Sequence, residues 1–171
     1  MSTHRAMDNV TDDAPATEAS ARGQRDNMAW LLRQFASDVM GVTHAVLLSR
    51  DGLRLLDSDV EKDWADELSA AFSGVASLSA NITGPNRTKW PARQVVIERE
   101  DCLFFLQGAG RSAAFDHHPG NERGAVDTIL AVIAATDADA GTVGFEMARL
   151  VKKFAPYMLI PARVGTGGEV R

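Results

Sequence analysis

Residues that could do chemistry are few in this chain, and their spacing is informative mainly by what it rules out. Gly108-Ala109-Gly110-Arg111-Ser112-Ala113 spells G-x-G-x-x-A directly after a predicted strand. That spacing cradles a pyrophosphate only where a helix follows at once, so that its N–H groups and dipole face the phosphates. Here His117-His118-Pro119-Gly120 forbids a long helix, and no cofactor is expected. No G-x-x-x-x-G-K-[ST] run is present, so the chain is not expected to hydrolyse a nucleoside triphosphate by itself. His117 and His118, with Asp116, could touch a metal ion. Adjacent histidines diverge, however, and no third or fourth ligand stands at finger-like spacing, so a solvated loop is the plainer assignment. His44 begins a strand, where packing or capping accounts for it. Cys102 reads as a small core residue, with no neighbour in sequence to lower its pKa. Asn81-Ile82-Thr83 and Asn86-Arg87-Thr88 match the glycosylation sequon by chance, the first inside a helix. No Ser/His/Asp or Cys/His arrangement is legible, so no catalytic, cofactor or metal residue is assigned.

Arg87, Lys89 and Trp90 are of a different kind. Trp and Arg are favoured where one protein anchors on another. These three lie between a long helix and the strand after it. Contact with a partner and an ordinary exposed basic loop both remain open for them. Trp64 falls on an apolar helical stripe and is assigned to the core.

The elements that position these residues turn on Leu68–Asn86, a stretch with no charged side chain in a protein that is 24% charged. It is too rich in Ser, Gly and Asn to span a membrane. With its lead-in from Glu61 it reads as a helix to Thr83. One face carries Trp64, Leu68, Ala71, Phe72, Val75, Leu78 and Ile82. The opposite face holds Ser69, Ser73, Ser77, Ala80 and Gly84, where a surface helix would carry Lys and Glu. Small uncharged residues let another backbone come close. The expectation is a helix buried on its own sheet by the first face and open to another protein on the second.

Around it the chain divides simply. Its 171 residues suit one domain with tails. A net charge of −5 gives no support for nucleic-acid binding. A single cysteine excludes an internal disulfide framework and fits a reducing cytosol, so a cytoplasmic location is expected. No secretion signal or membrane span is found. Residues 1–25 hold almost no large apolar side chains and read as a disordered tail. The folded domain is expected over 26–160, followed by a flexible tail over 161–171.

Within the domain, Asp26 or Asn27 can cap a helix from Met28 to Gly41. Thr43–Arg50 and Leu53–Ser58 are strands joined by Asp51-Gly52, a hairpin signal in which both turn positions take φ > 0. Gln94–Glu98, Cys102–Gln107 and Thr128–Ala135 are further strands, the last apolar on both faces and so central. Asp137 or Asp139 caps a final helix with Val143, Met147, Leu150, Val151, Phe154 and Met158 as its stripe. The order α-β-β-α-β-β-β-α gives an α+β class with one five-stranded, mainly antiparallel sheet and helices on both faces. The first and last helices share one face and the long helix takes the other.

These stretches, in this order, resemble the Roadblock family, the dynein light chain and GTPase-regulator module related to longin and profilin-like folds. The likeness rests on MAWLLRQFASDVMGV, HAVLLSRDGLRLLDS, AAFSGVASLSANI, QVVIE, CLFFLQGAG and TILAVIAATDADAGTVGFEMARLVKKF. It covers about residues 27–158, and its hairpin and ending look most like bacterial members found beside a small Ras-like GTPase. One departure stands out. Where similar proteins turn almost directly into the next strand, Arg111–Asp127 are inserted, about 17 residues, longer than most hairpin connections.

The resemblance implies a homodimer in which the third strands, here with Val95 and Ile97, pair into a continuous sheet. The long helices then lie side by side through Ser69, Ser73, Ser77 and Ala80, with Arg87, Lys89 and Trp90 at a dimer or partner contact. It implies a non-catalytic module that binds and modulates a small Ras-like GTPase in a bacterial system containing a sensor kinase. The rival expectation is a PAS-like or profilin-like domain holding a small molecule between sheet and helix, with the loop 111–127 as its lid. An enzyme is the remaining possibility and has no catalytic constellation to support it.

Overall fold

The computed structural model describes residues 14–121 and 124–158. Helix α1 (Ala14–Asp38) leads into strand β1 (Val42–Ser49) and strand β2 (Arg54–Asp57). Helix α2 (Lys62–Ala80) follows, then β3 (Val95–Glu98), β4 (Leu103–Ser112), β5 (Val126–Ala134) and helix α3 (Ala140–Lys153). A 3-10 turn, Ala155–Tyr157, ends the described chain. The five strands form one antiparallel sheet in the order β2-β1-β5-β4-β3. The expected α+β architecture is therefore present, with β5 at the centre.

Two apolar layers hold it. On one face Met28, Leu32 and Phe35 of α1 pack with Val143, Met147 and Leu150 of α3 over Leu47, Phe105, Leu130 and Val132 of the sheet. On the other, Leu68 and Phe72 of α2 cover Leu48, Phe104, Leu106, Ile129, Ala131 and Ile133. β5 feeds both layers and is almost wholly buried, which is why its sequence is apolar without alternation. Asp139, not Asp137, caps α3, its carboxylate accepting the Thr142 N–H at 2.6 Å.

Three boundaries differ from expectation. α1 begins at Ala14, well inside the stretch read as a disordered tail; residues 1–13 and 159–171 lie outside the described residues. Ala14, Ala16, Ala19 and Ala21 supply strong helix propensity without bulk. Ala21 is buried, and the Arg25 guanidinium ties the helix to the loop after β4 through the Ala114 carbonyl at 2.6 Å and the Asp116 carboxylate at 2.8 Å. A scarcity of large apolar residues therefore did not mean a lack of order.

The insertion is shorter than Arg111–Asp127. β4 runs on through a bulge at Gly108–Gly110, and Arg111 and Ser112 pair with Asp127 and Val126. The loop proper spans 113–125.

The hairpin after β1 is also a longer turn. Gly52 N–H bonds the Ser49 carbonyl at 3.0 Å, Ser49 N–H bonds the Leu53 carbonyl at 2.8 Å, and only Gly52 is left-handed (φ 94°). That is a three-residue turn closed by a left-handed glycine.

Candidate interaction surface

α2 starts where the Glu61 carboxylate accepts the N–H groups of Asp63 (3.0 Å) and Trp64 (2.8 Å). These donors, Trp64 first, hold the Glu61 carboxyl below the usual carboxylate range. Asp66, one turn on, receives Arg54 of β2 at 2.9 Å and Lys62 at 3.0 Å; Arg54 also reaches Asp57 at 2.7 Å. Hydrogen bonds from Arg54 and then Lys62 lower the Asp66 pKa in turn. The arrangement links the first turns of α2 to β2.

The rotation of α2 about its axis differs from the expected one by roughly 80°. The face on the sheet is Ala65, Leu68, Ser69 and Phe72, with Phe72 meeting Phe104 edge-on at 5.2 Å. Ser69, expected on the open face, is fully buried, so no partner can reach it. Burial is tolerable because its hydroxyl donates to the Ala65 carbonyl at 2.7 Å. In exchange, part of the apolar stripe faces outward. Leu78 is 71% exposed, Ile82 lies beyond the helix end at 70%, and Trp64, assigned to the core, is 37% exposed with its ring against His44.

The small-residue face does receive a backbone, and it is the chain's own. A Cβ on Gly52 would stand 3.4 Å from both the Ala70 Cα and the Ser73 Cβ, on a left-handed backbone that already favours glycine. Ser73 Oγ donates to the Arg50 carbonyl across the same contact at 2.5 Å. Ser77 remains exposed and Ala80 half-buried.

At the far side of the sheet, β3 pairs with β4 alone among the described residues, which leave its other edge open. Val95 and Ile97 are half-buried beside the α2-side core, while Val96 points to the opposite face and is 48% exposed. Between α2 and β3, Arg87, Lys89 and Trp90 are all exposed, Trp90 at 76%. The residues that sequence reasoning misplaced here are Leu78 and Ile82. Their spacing marked them as apolar face, and the burial of Ala65, Leu68, Ser69 and Phe72 shows which part of that face leaves the sheet.

The remaining candidates resolve into structure. Gly108–Ser112 lie within β4, and Ala113 leads into a loop rather than a helix, so the glycine pattern is a strand bulge. His117 approaches Glu18 at 3.3 Å, whereas His118 accepts the Gly120 N–H on Nδ1 at 2.8 Å and turns Nε2 toward Asp51 at 3.5 Å. The two rings diverge, and no group of three or more His, Cys, Asp or Glu among the described residues could hold a metal. Partial burial pushes the Cys102 thiol up, and Asp101 adds to it, which is the reverse of a reactive thiolate. A cleft of about 730 Å³ separates the insertion from the hairpin and α2, lined by Leu53, Leu55, Ala70, Phe115 and Pro119 together with Arg25 and Arg54.

Comparison with known proteins places this geometry. The family described as Roadblock/LC7 domain matches over residues 28–115. A Roadblock/LC7 domain from Streptomyces avermitilis is 38% identical, covering 75% of this chain and 94% of its own, with a TM-score of 0.59. A second crystal structure of a Roadblock/LC7 domain from Streptomyces avermitilis is 31% identical over 74% of this chain and 96% of its own (TM-score 0.54). The gliding protein MglB from Thermus thermophilus shares the fold at 15% identity, with a TM-score of 0.61 over 78% of this chain and 89% of its own. A search of curated proteins finds no match.

Proposed function

The chain belongs to the Roadblock/LC7 domain family, and we propose that it acts as a non-catalytic regulatory module, a homodimer that binds and modulates a small Ras-like GTPase in a bacterial signalling system with a sensor kinase. One observation carries this reading: the strand with the open edge and the helix with exposed apolar residues share one core layer, Val95 and Ile97 packing against the cluster of Leu68 and Phe72. Among the described residues β3 has no partner on its outer side, and Leu78 and Ile82 stand out of α2 and its C-terminal end. A second copy with its β3 alongside would continue the sheet and cover both. Each large aliphatic side chain moved out of water contributes about 1.5–3 kcal/mol. An unprotected edge strand otherwise invites uncontrolled pairing.

The GTPase would rest on the platform made by the paired helices and sheet, which would act by ordering the GTPase's own switch regions. The module itself need not supply a catalytic arginine. A cytoplasmic site of action fits the lone Cys102. No helix among the described residues is long and apolar enough to cross a membrane.

Size exclusion with light scattering tests the dimer, and a monomer at all concentrations would remove the basis of the proposal. Titration with the Ras-like GTPase of the same genome, loaded with GDP or a GTP analogue, tests the partner. Turnover with and without the protein then separates a regulator from a scaffold. The cleft under the insertion favours a second reading, a ligand-sensing domain with the loop as its lid. Native mass spectrometry would show a retained small molecule if that reading holds.

A further inference from the structure

We propose that the connection between α2 and β3 is a preformed docking hairpin for an acidic protein surface, with Trp90 seated in an apolar socket of that partner. The proposal rests on the regulatory reading above and specifies the chemistry of the partner's contact face. Its first support is charge. From Leu68 to Ile97 the chain has no Asp or Glu, although 23 acidic residues occupy the rest and the net charge is −5. The charges in that span are Arg87, Lys89 and Arg93, all exposed and none of them in an ion pair among the described residues. Unpaired cations clustered on an acidic protein are complementary to acid on something else.

The second support is order. Thr83 bridges Lys89, the Gly84 N–H bonds the Thr88 carbonyl at 2.8 Å, and the Arg87 N–H bonds the Gly84 carbonyl at 3.0 Å. Arg87 at the tip is left-handed (φ 61°), a conformation that non-glycine residues adopt only when their surroundings hold them there. A loop already fixed in shape loses little freedom on binding. Trp90 is 76% exposed beside these cations, and Trp with Arg is the usual composition of a binding anchor.

An anionic membrane fits less well. Lipid-binding segments cluster about 4–8 Lys or Arg, whereas this loop has only Arg87, Lys89 and Arg93 on a body that anionic lipid repels.

The test is titration of the full chain against the Ras-like GTPase of the same genome, using wild type, Arg87→Glu/Lys89→Glu, Trp90→Ala and the milder Lys89→Gln. The wild-type Kd should weaken about tenfold between roughly 50 and 300 mM salt. The double reversal should weaken it at least about tenfold at low salt and flatten the salt dependence, Trp90→Ala should weaken it without changing the salt slope, and Lys89→Gln should fall between. Thermal melting and the mass in solution should match wild type throughout. Equal binding by the reversed variant overturns the docking hairpin and leaves the regulatory reading standing. Loss of the dimer would reassign the loop to contact between copies. Wild-type binding to phosphatidylserine vesicles, lost on reversal while GTPase affinity is kept, would reassign it to membrane. Absence of wild-type binding in either nucleotide state rejects both proposals.

Discussion

Ser73 of α2 donates its hydroxyl to the carbonyl of Arg50 at the tip of the β1–β2 hairpin. The bond, with the close approach of Gly52 to Ala70, makes the Ala70–Ser73 stretch of α2 an internal seam. Ser73→Ala should cost about 1 kcal/mol and raise amide exchange at Gly52 and Leu53. Gly52→Ala should cost about 1–2 kcal/mol, because a left-handed residue acquires a Cβ. Ser73→Arg should lower the melting temperature of the chain itself, because it removes the bond to Arg50 and crowds Gly52. A Ser73→Arg protein as stable as wild type would put the seam in doubt.

Leu78 and Ile82 call for the opposite outcome. Both are more than two-thirds exposed, so Leu78→Glu and Ile82→Glu should leave the melting temperature of the single subunit unchanged. Light scattering should show the mass falling to that of one subunit. Phe72→Ala is the contrasting control, since Phe72 is 4% exposed and packs on Phe104; it should cost about 3–5 kcal/mol.

Acid should weaken the fold through its helix starts. Backbone N–H donors hold the Glu61 and Asp139 carboxyls below their ordinary range, Trp64 leading for one and Thr142 for the other. A group depressed in the folded state stabilises above its unfolded pKa, about 4, and loses that contribution as pH falls through the lower folded value. The melting temperature should be level from neutral to about pH 5 and decline below about pH 4. Asp139→Ala should melt lower than wild type at neutral pH, with the gap narrowing on acidification. A gap that stays constant to about pH 2 would mean that the carboxylate charge is not its source.

Arg25→Ala should loosen two distant segments together. Its guanidinium joins α1 to Ala114 and Asp116, so hydrogen exchange should rise both in the first turns of α1 and over residues 113–119. The sheet, which the substitution does not touch, should keep its protection.

The sequence reveals much of this architecture because its signals are local. Asp51-Gly52 marks a hairpin, Asp139 a helix start, and the unbroken apolar run of β5 a central strand. What escapes it depends on distant partners. The apolar sector of α2 is wider than the sheet needs, so periodicity alone cannot say which edge of it is left over. Ser69 passes for a surface residue because its bond to Ala65 is invisible in composition. Gly108–Ser112 look like a turn, yet the strand continues because β5 extends opposite it and the Ser112 hydroxyl finds the Tyr157 carbonyl at 2.8 Å. Of the candidate interface residues, Arg87, Lys89, Trp90 and Ser77 are exposed, Ser73, Ala80, Val95 and Ile97 are half-buried, and Ser69 alone is buried.

Arg25 of α1 and Asp116 of the loop after β4 stand 91 positions apart and are joined at 2.8 Å. The pair works as a strut between two segments remote in sequence. A graft of the loop onto another scaffold should therefore hold its shape better when the matching stretch of α1 travels with it.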